Sequence, residues 1–302
     1  CMSRNLHMAL PGFCVAAMLL LSTVAAENHL PYERLEASGC VLLLDWRGSF
    51  SAAQQEKMKT WLLSAVETVS LLHGAPPRPE IRISLQPYPA KSAVPFARVL
   101  RNDPEGVLFY VNPDRPLDEY INDWTAYHEM SHLFIPYPGK KDIWFSEGLA
   151  SYYQNVLQAR AGLLTVDEAR EKLRAGFARG KNDSKHAQLT LGELSPVMLE
   201  RHAFMRVYWS GGLYFLQADL MLRGPLTEER LSFTLDDVLQ EFGQCCLNTA
   251  QVWSGLAIAA EFDRISDTDI FTTLYAEYAR STAIPDYETL LDSAQLETIL
   301  TP

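Results

Sequence analysis

Hydrophobic positions change their period along this chain, and the changes divide it. Val41 to Trp46 is a short apolar run of strand length. Met58, Trp61, Leu62, Ala65, Val66, Val69 and Leu72 then recur at helical spacing, with Ser49 and Ser51 as candidate caps and Gly74, Pro76 and Pro77 as the stop. Ile81, Ile83 and Leu85 alternate with Arg82 and Ser84, as a half-buried strand requires, and Phe96 to Leu100 and Val107 to Val111 are two further strand candidates. From Pro116 the pattern is helical almost to the end. Pro116, Asp118 and Glu119 open a helix predicted to run through His132, and a loop with Pro136, Pro138 and Gly139 separates it from a second, capped by Asp142. More helices are expected at Val166 to Arg179, Ala203 to Leu222, Leu235 to Phe242 and Asp267 to Ala279. Strands followed by helices predict an α+β fold: a small N-terminal mixed sheet with a helix over residues 27–115, then a mostly helical part over 116–302.

The first residues follow different rules. Residues 1–26 read as an export signal, with Arg4 as the positive n-region, Phe13 to Leu21 as the apolar h-region and Val24-Ala25-Ala26 as a small-residue cleavage site before Glu27. This makes the protein periplasmic or secreted. The alternative is an uncleaved anchor, since Met8 to Ala26 is 19 mostly apolar residues, and only in that case is a membrane a partner. A formal net charge of −11 without a basic stripe excludes nucleic acid as a partner, because such a surface repels phosphate. An apolar fraction of 48% excludes disordered and fibrous classes.

Five cysteines set no disulfide framework, since Cys1 and Cys14 precede the expected mature chain. Cys40 is left to pair with Cys245 or Cys246, or all three stay as buried thiols.

The candidate chemistry starts at His128-Glu129-Met130-Ser131-His132, an HExxH motif. Residues four apart share a helix face, so both imidazoles reach one cation, and Glu129 is placed to reach a water there without ligating. The plain alternative is a surface helix with two solvated histidines. Context argues against it. A catalytic zinc takes three protein ligands and keeps one open position, and Glu147, fifteen positions beyond His132, lies in the apolar and aromatic run Trp144 to Tyr153. A carboxylate in such a run is costly to bury unless paired or metal-bound, although an exposed Glu near a helix start is also favoured by the dipole. The other histidines, His7, His29, His73 and His186, sit in no ligand-spaced set.

HExxH followed by W-x-x-E-G-x-A-x-Y resembles the gluzincin zinc metallopeptidases, and Tyr208-Trp209-Ser210-Gly211-Gly212 with Asp219-Leu220 and Ser232 to Val238 resembles the catalytic domain of the glycyl aminopeptidase-like family. The resemblance spans roughly Gly106 to Phe242. It implies a zincin-type catalytic region with HExxH on a helix, one Zn2+ per chain on His128, His132 and Glu147, Glu129 as general base, and Tyr208 as donor to the oxyanion. His202 is a second candidate for that donor, and Tyr208 is otherwise a packed core aromatic. Gly211 and Gly212 would let a helix approach closely, which offsets their cost of about 1 kcal/mol each inside a helix. The implied reaction is zinc-dependent hydrolysis of a peptide or protein substrate laid on the strand Gly106 to Asn112. No G-x-M-E-N segment is present, so endo- and aminopeptidase action both stay open. A non-catalytic binding protein on this fold and a zinc hydrolase of a non-peptide amide are the remaining alternatives.

Overall fold

In the computed structural model, which describes residues 32–302 apart from residues 38, 225–232 and 250, the alternating segments assemble into one five-stranded sheet. The expected export signal lies outside the described residues. Strands β1 (Glu33–Ala37), β2 (Cys40–Trp46), β3 (Glu80–Pro87), β4 (Phe96–Leu100) and β5 (Gly106–Val111) are ordered β1-β2-β3-β5-β4. The central pairs β2–β3 and β3–β5 are parallel, and the outer pairs β1–β2 and β4–β5 are antiparallel. Between β2 and β3 runs helix α1 (Ala52–Ser70), started by a capping box in which Ser51 and Gln54 exchange hydrogen bonds. Its apolar stripe faces the sheet, and Trp61 meets Phe109 of β5 edge-on with ring centroids 5.1 Å apart.

One expectation is corrected by this topology. The strand from Gly106, expected as a substrate edge, is β5 and is paired on both sides, with β3 and β4. Of the two edge strands, β1 pairs with β2 alone and β4, next to β5, pairs with β5 alone among the described residues.

The helix expected from Pro116 through His132 is also divided. It forms α2 (Leu117–Asn122) and α3 (Thr125–Ser131), and His132 opens a 3-10 turn. Asp123 causes the break: its backbone is extended at ψ 134°, and its carboxylate accepts the Thr125 N–H at 2.8 Å. Such local side-chain bonding competes with helix continuation. Beyond lie α4 (Ile143–Arg160), α5 (Val166–Asn182), α6 (Leu191–Leu194), α7 (Met198–Arg201), α8 (Phe204–Arg223), α9 (Leu235–Cys245), α10 (Gly255–Ser266), α11 (Ile270–Arg280), α12 (Glu288–Leu291) and α13 (Ala294–Leu300). The helix expected over Asp267 to Ala279 begins only at Ile270, because Asp267 takes a left-handed conformation at φ 54° and closes α10. Asp142 occupies the N-cap position of α4, as expected, but its side chain makes no capping bond. Its carboxylate accepts Gly255 N–H at 2.7 Å and the Tyr275 hydroxyl, tying α10 and α11 to the start of α4. The α+β expectation is met.

Helix α4 is the central element of the helical part. From Trp144 to Arg160 every residue is buried except Glu147, which is half-open. It crosses α8 at a contact between backbones, where a Cβ on Gly211 would lie 2.1 Å from the Trp144 carbonyl oxygen and 2.6 Å from Gly148 Cα. Gly148 is equally confined against Gly211, whereas Gly212 has only ordinary contacts. The crossing therefore sets how near Glu147 can come to Tyr208, one turn before Gly211. Gly211→Ala must push the helices apart, and overpacking of this kind typically costs about 1–3 kcal/mol. The expected result is a lower denaturant midpoint with an unchanged slope. A midpoint equal to wild type would show that the crossing tolerates a methyl group.

Neither expected cysteine pairing forms. Cys245 and Cys246 are bonded to each other, and Cys40 is a buried free thiol of β2. No helix among the described residues is long and apolar enough to cross a membrane.

Candidate metal centre and substrate groove

Four elements meet at the centre. Helix α3 brings His128 and Glu129, the turn after it His132, and α4 Glu147, while Tyr208 enters from α8. His128 Nε2 lies 3.3 Å and His132 Nε2 3.4 Å from the same Glu147 oxygen, Oε2. The two imidazoles are perpendicular, with centroids 4.9 Å apart.

Each ring is oriented from behind. His128 Nδ1 is 2.9 Å from Gln154 Oε1, and His132 Nδ1 is 2.9 Å from Ser146 Oγ. With both Nδ1 atoms engaged, both Nε2 atoms are left to face Glu147. These three side chains offer ligand atoms all within 4.8 Å of one another, so the donor set fits one cation. Two imidazoles, one carboxylate and an open side are the ligand set of a catalytic zinc, and partners on the far ring nitrogens are a usual part of such sites.

The electrostatics of the group are those of a compact buried cluster. Burial works against the Glu147 carboxylate, yet the adjacent imidazoles of His132 and His128 hold it well below the usual carboxylate range. Burial likewise opposes charge on His128, but its contact with Glu147 outweighs this and raises it. For His132 burial prevails and lowers it. Besides burial, the nearby positive charges of His128 and Arg101 also lower His132. Glu129 is pushed up to about 7, first by burial and then by the negative charge of Glu147, against the pull of His128 and Arg101. Burial, with Glu147 and Glu129 nearby, also raises the Tyr208 hydroxyl, which stays a neutral donor.

Two hollows share Phe96, Ala97, Glu129 and Tyr208, and together they form a groove beside edge strand β4. One, of about 330 Å³, continues to Arg101, His132, Tyr137 and Glu147. The other, of about 390 Å³, continues to Trp124, Thr125 and His128. Three of the wall residues are large exposed aromatics, Phe96 at 57%, Trp124 at 47% and Tyr137 at 42%. Tyr208 stacks over His128 with centroids 5.9 Å apart and an interplanar angle of 20°. His202 lies in the exposed turn before α8, outside the lining of both hollows.

All five expected site residues, His128, Glu129, His132, Glu147 and Tyr208, are thus brought together. Gln154 and Ser146, which support the two rings, are not singled out by the motifs. Their signal was faint but present: Gln154 lies two turns beyond Glu147 on α4, on the same face, and Ser146 precedes it directly.

No curated protein matches this sequence. The sequence profile of the M61 glycyl aminopeptidase family matches residues 127–210, which takes in the HExxH motif, Glu147 and Tyr208. The aminopeptidase N family protein from Idiomarina loihiensis has a similar structure over 86% of this chain and 48% of its own, at 18% identity and a TM-score of 0.60. An M1 zinc metallopeptidase mutant from Deinococcus radiodurans, bound to a Tyr-Ser-Ala substrate, is similar over 85% of this chain and 52% of its own, at 15% identity and a TM-score of 0.50. The chain spans about half the length of the solved proteins it matches. At these identities the structural likeness is one of fold. By profile and fold the chain is similar to the gluzincin zinc metallopeptidases, as its motifs implied.

Proposed function

We propose that the chain is a zinc-dependent peptidase, with His128, His132 and Glu147 holding one metal ion. The observation that carries this reading is the convergence of both Nε2 atoms on one Glu147 oxygen while Gln154 and Ser146 occupy the Nδ1 atoms. Zinc bound there supplies positive charge that polarises a scissile carbonyl and makes water easier to deprotonate.

The chain's own residues supply the rest. An extended peptide lies along β4, whose free edge offers backbone hydrogen bonds by strand addition. Phe96, Trp124 and Tyr137 cover its apolar parts. Glu129, half-buried and raised to about 7, is suited to take a proton from the attacking water and return it to the leaving amine. Tyr208 donates its hydroxyl to the oxygen that becomes negative as the tetrahedral species forms. Digestion of a mixed peptide library, read by mass spectrometry with and without chelator, tests the reading. Chelator-sensitive cleavage is expected, and no cleavage of free or blocked peptides would favour a binding protein on this fold.

Tyr208 acts only in the transition state on this reading. Tyr208→Phe should lower kcat and kcat/KM together, by about 10²–10³-fold for one lost oxyanion donor, with zinc content unchanged. Steady-state kinetics beside elemental analysis would decide it. Wild-type kinetics would leave Tyr208 a packing residue and turn attention to His202.

A further inference from the structure

A third hollow, of about 380 Å³, lies behind the metal centre, and it shares Trp124 and Tyr208 with the groove. Its floor comes from α4, where Gln154 braces His128 and Asn155 follows. One wall is a stripe of α5. Lys172, Ala175 and Arg179 recur there at helical spacing, so both cations stand over the same opening.

The polar character of this hollow is one-sided. Asn155 is 2% exposed, and its amide nitrogen has no hydrogen-bond partner. A buried donor left unpaired is costly, which points to a partner that arrives from outside the fold. Among the described residues, neither Lys172 nor Arg179 takes part in an ion pair, and the Arg179 guanidinium rests 5.2 Å from the Trp209 ring centroid. No acidic residue lines the hollow. Of the nearest acids on α5, Glu171 pairs with Arg174, and Glu168 is held by Thr165 in a capping box while the charge of Lys172 one turn on acts on it without a direct contact. In a chain with 37 acidic and 26 basic residues, two unpaired cations over an unpaired buried amide form a local inversion of charge.

We propose that this hollow is a substrate subsite that takes a carboxylate through Lys172, Arg179 and Asn155, carried by a peptide residue close to the scissile bond. The proposal rests on the peptidase reading and gives it a substrate class. The carboxylate has two possible sources, an acidic side chain and the C-terminus of the peptide. Guanidinium and ammonium groups suit both through charge-assisted hydrogen bonds. The aromatic walls of Trp124 and Trp209 hold the aliphatic part of the same residue.

The test uses alanine-based hexapeptides with a single Glu or Gln moved through each position, each made with a free and an amidated C-terminus. For wild-type protein, kcat/KM is expected to favour the carboxylate about tenfold or more, because charge-assisted bonds are roughly twice as strong as neutral ones. A preference tied to one Glu position assigns the side chain, and one tied to the free C-terminus assigns the terminus. Lys172→Gln/Arg179→Gln, at two exposed positions, should abolish the preference and leave cleavage of the neutral amidated peptides unchanged. Equal cleavage of charged and neutral peptides overturns the subsite and leaves the peptidase reading standing. A preference that survives the double variant overturns its assignment to this hollow. Absence of any cleavage overturns the peptidase reading and this proposal with it.

Discussion

Glu129→Gln is expected to keep one zinc per chain while kcat falls by about 10²–10⁴-fold, the usual contribution of general acid–base catalysis. The geometry separates the two properties. Glu129 sits beside His128 in sequence, but the groups converging on Glu147 Oε2 are the two histidines, and Glu129 instead lines both halves of the groove. Its raised affinity for a proton comes from burial beside Glu147, and an amide of the same shape cannot take a proton at all. Elemental analysis and single-turnover kinetics would measure the two effects independently. Loss of zinc in this variant would make Glu129 a ligand, and undiminished turnover would remove it from the chemistry.

Glu147→Ala has the opposite signature, loss of zinc and of activity together. Without the carboxylate, two buried imidazoles face an empty space with no anion between them, one ligand short of the three that a catalytic zinc takes from the protein. Zinc affinity should fall by well over about 100-fold, whereas Gln154→Leu and Ser146→Ala, which remove only the supports of the rings, should cost about 10–100-fold. Metal competition with a chromogenic chelator would rank all three variants. If Glu147→Ala kept wild-type affinity, the third ligand would have to be another residue. If the support variants lost as much as Glu147→Ala, the rings would be held less by the metal than by their hydrogen bonds.

What was legible in the sequence follows from how local each determinant is. The HExxH motif and the W-x-x-E-G run could be read because residues four apart share a helix face, and because a carboxylate amid aromatic residues needs a reason. Tyr208 and Gly211 were legible together, one as a candidate donor and the other as a close-approach glycine on the same helix. Strand order was not legible. That β5 is interior and β4 is the edge depends on pairing between segments, and neither strand's own pattern carries it. The break at Asp123 rests on one carboxylate reaching the Thr125 N–H, a single bond that overrides a run of favourable helical positions. Strand β1 carries little signal because Glu33 to Ala37 is short and mostly polar, and α10 because a glycine follows its Ser254 cap. Asp142 looked like a cap by position, but its carboxylate serves two distant elements. The sequence offers Cys245 or Cys246 as partners for Cys40, whereas those two cysteines bond to each other.

One zinc, on His128, His132 and Glu147, is proposed to switch on peptide hydrolysis. The measurement that meets this claim most directly is a titration of metal-free protein with zinc, following bound metal per chain and the rate of peptide cleavage in the same samples. Cleavage is expected to be absent at the start, to rise in proportion to bound zinc and to level off at one ion per chain. Cleavage by the metal-free protein, or one tightly bound zinc with no cleavage at saturation, would contradict the claim.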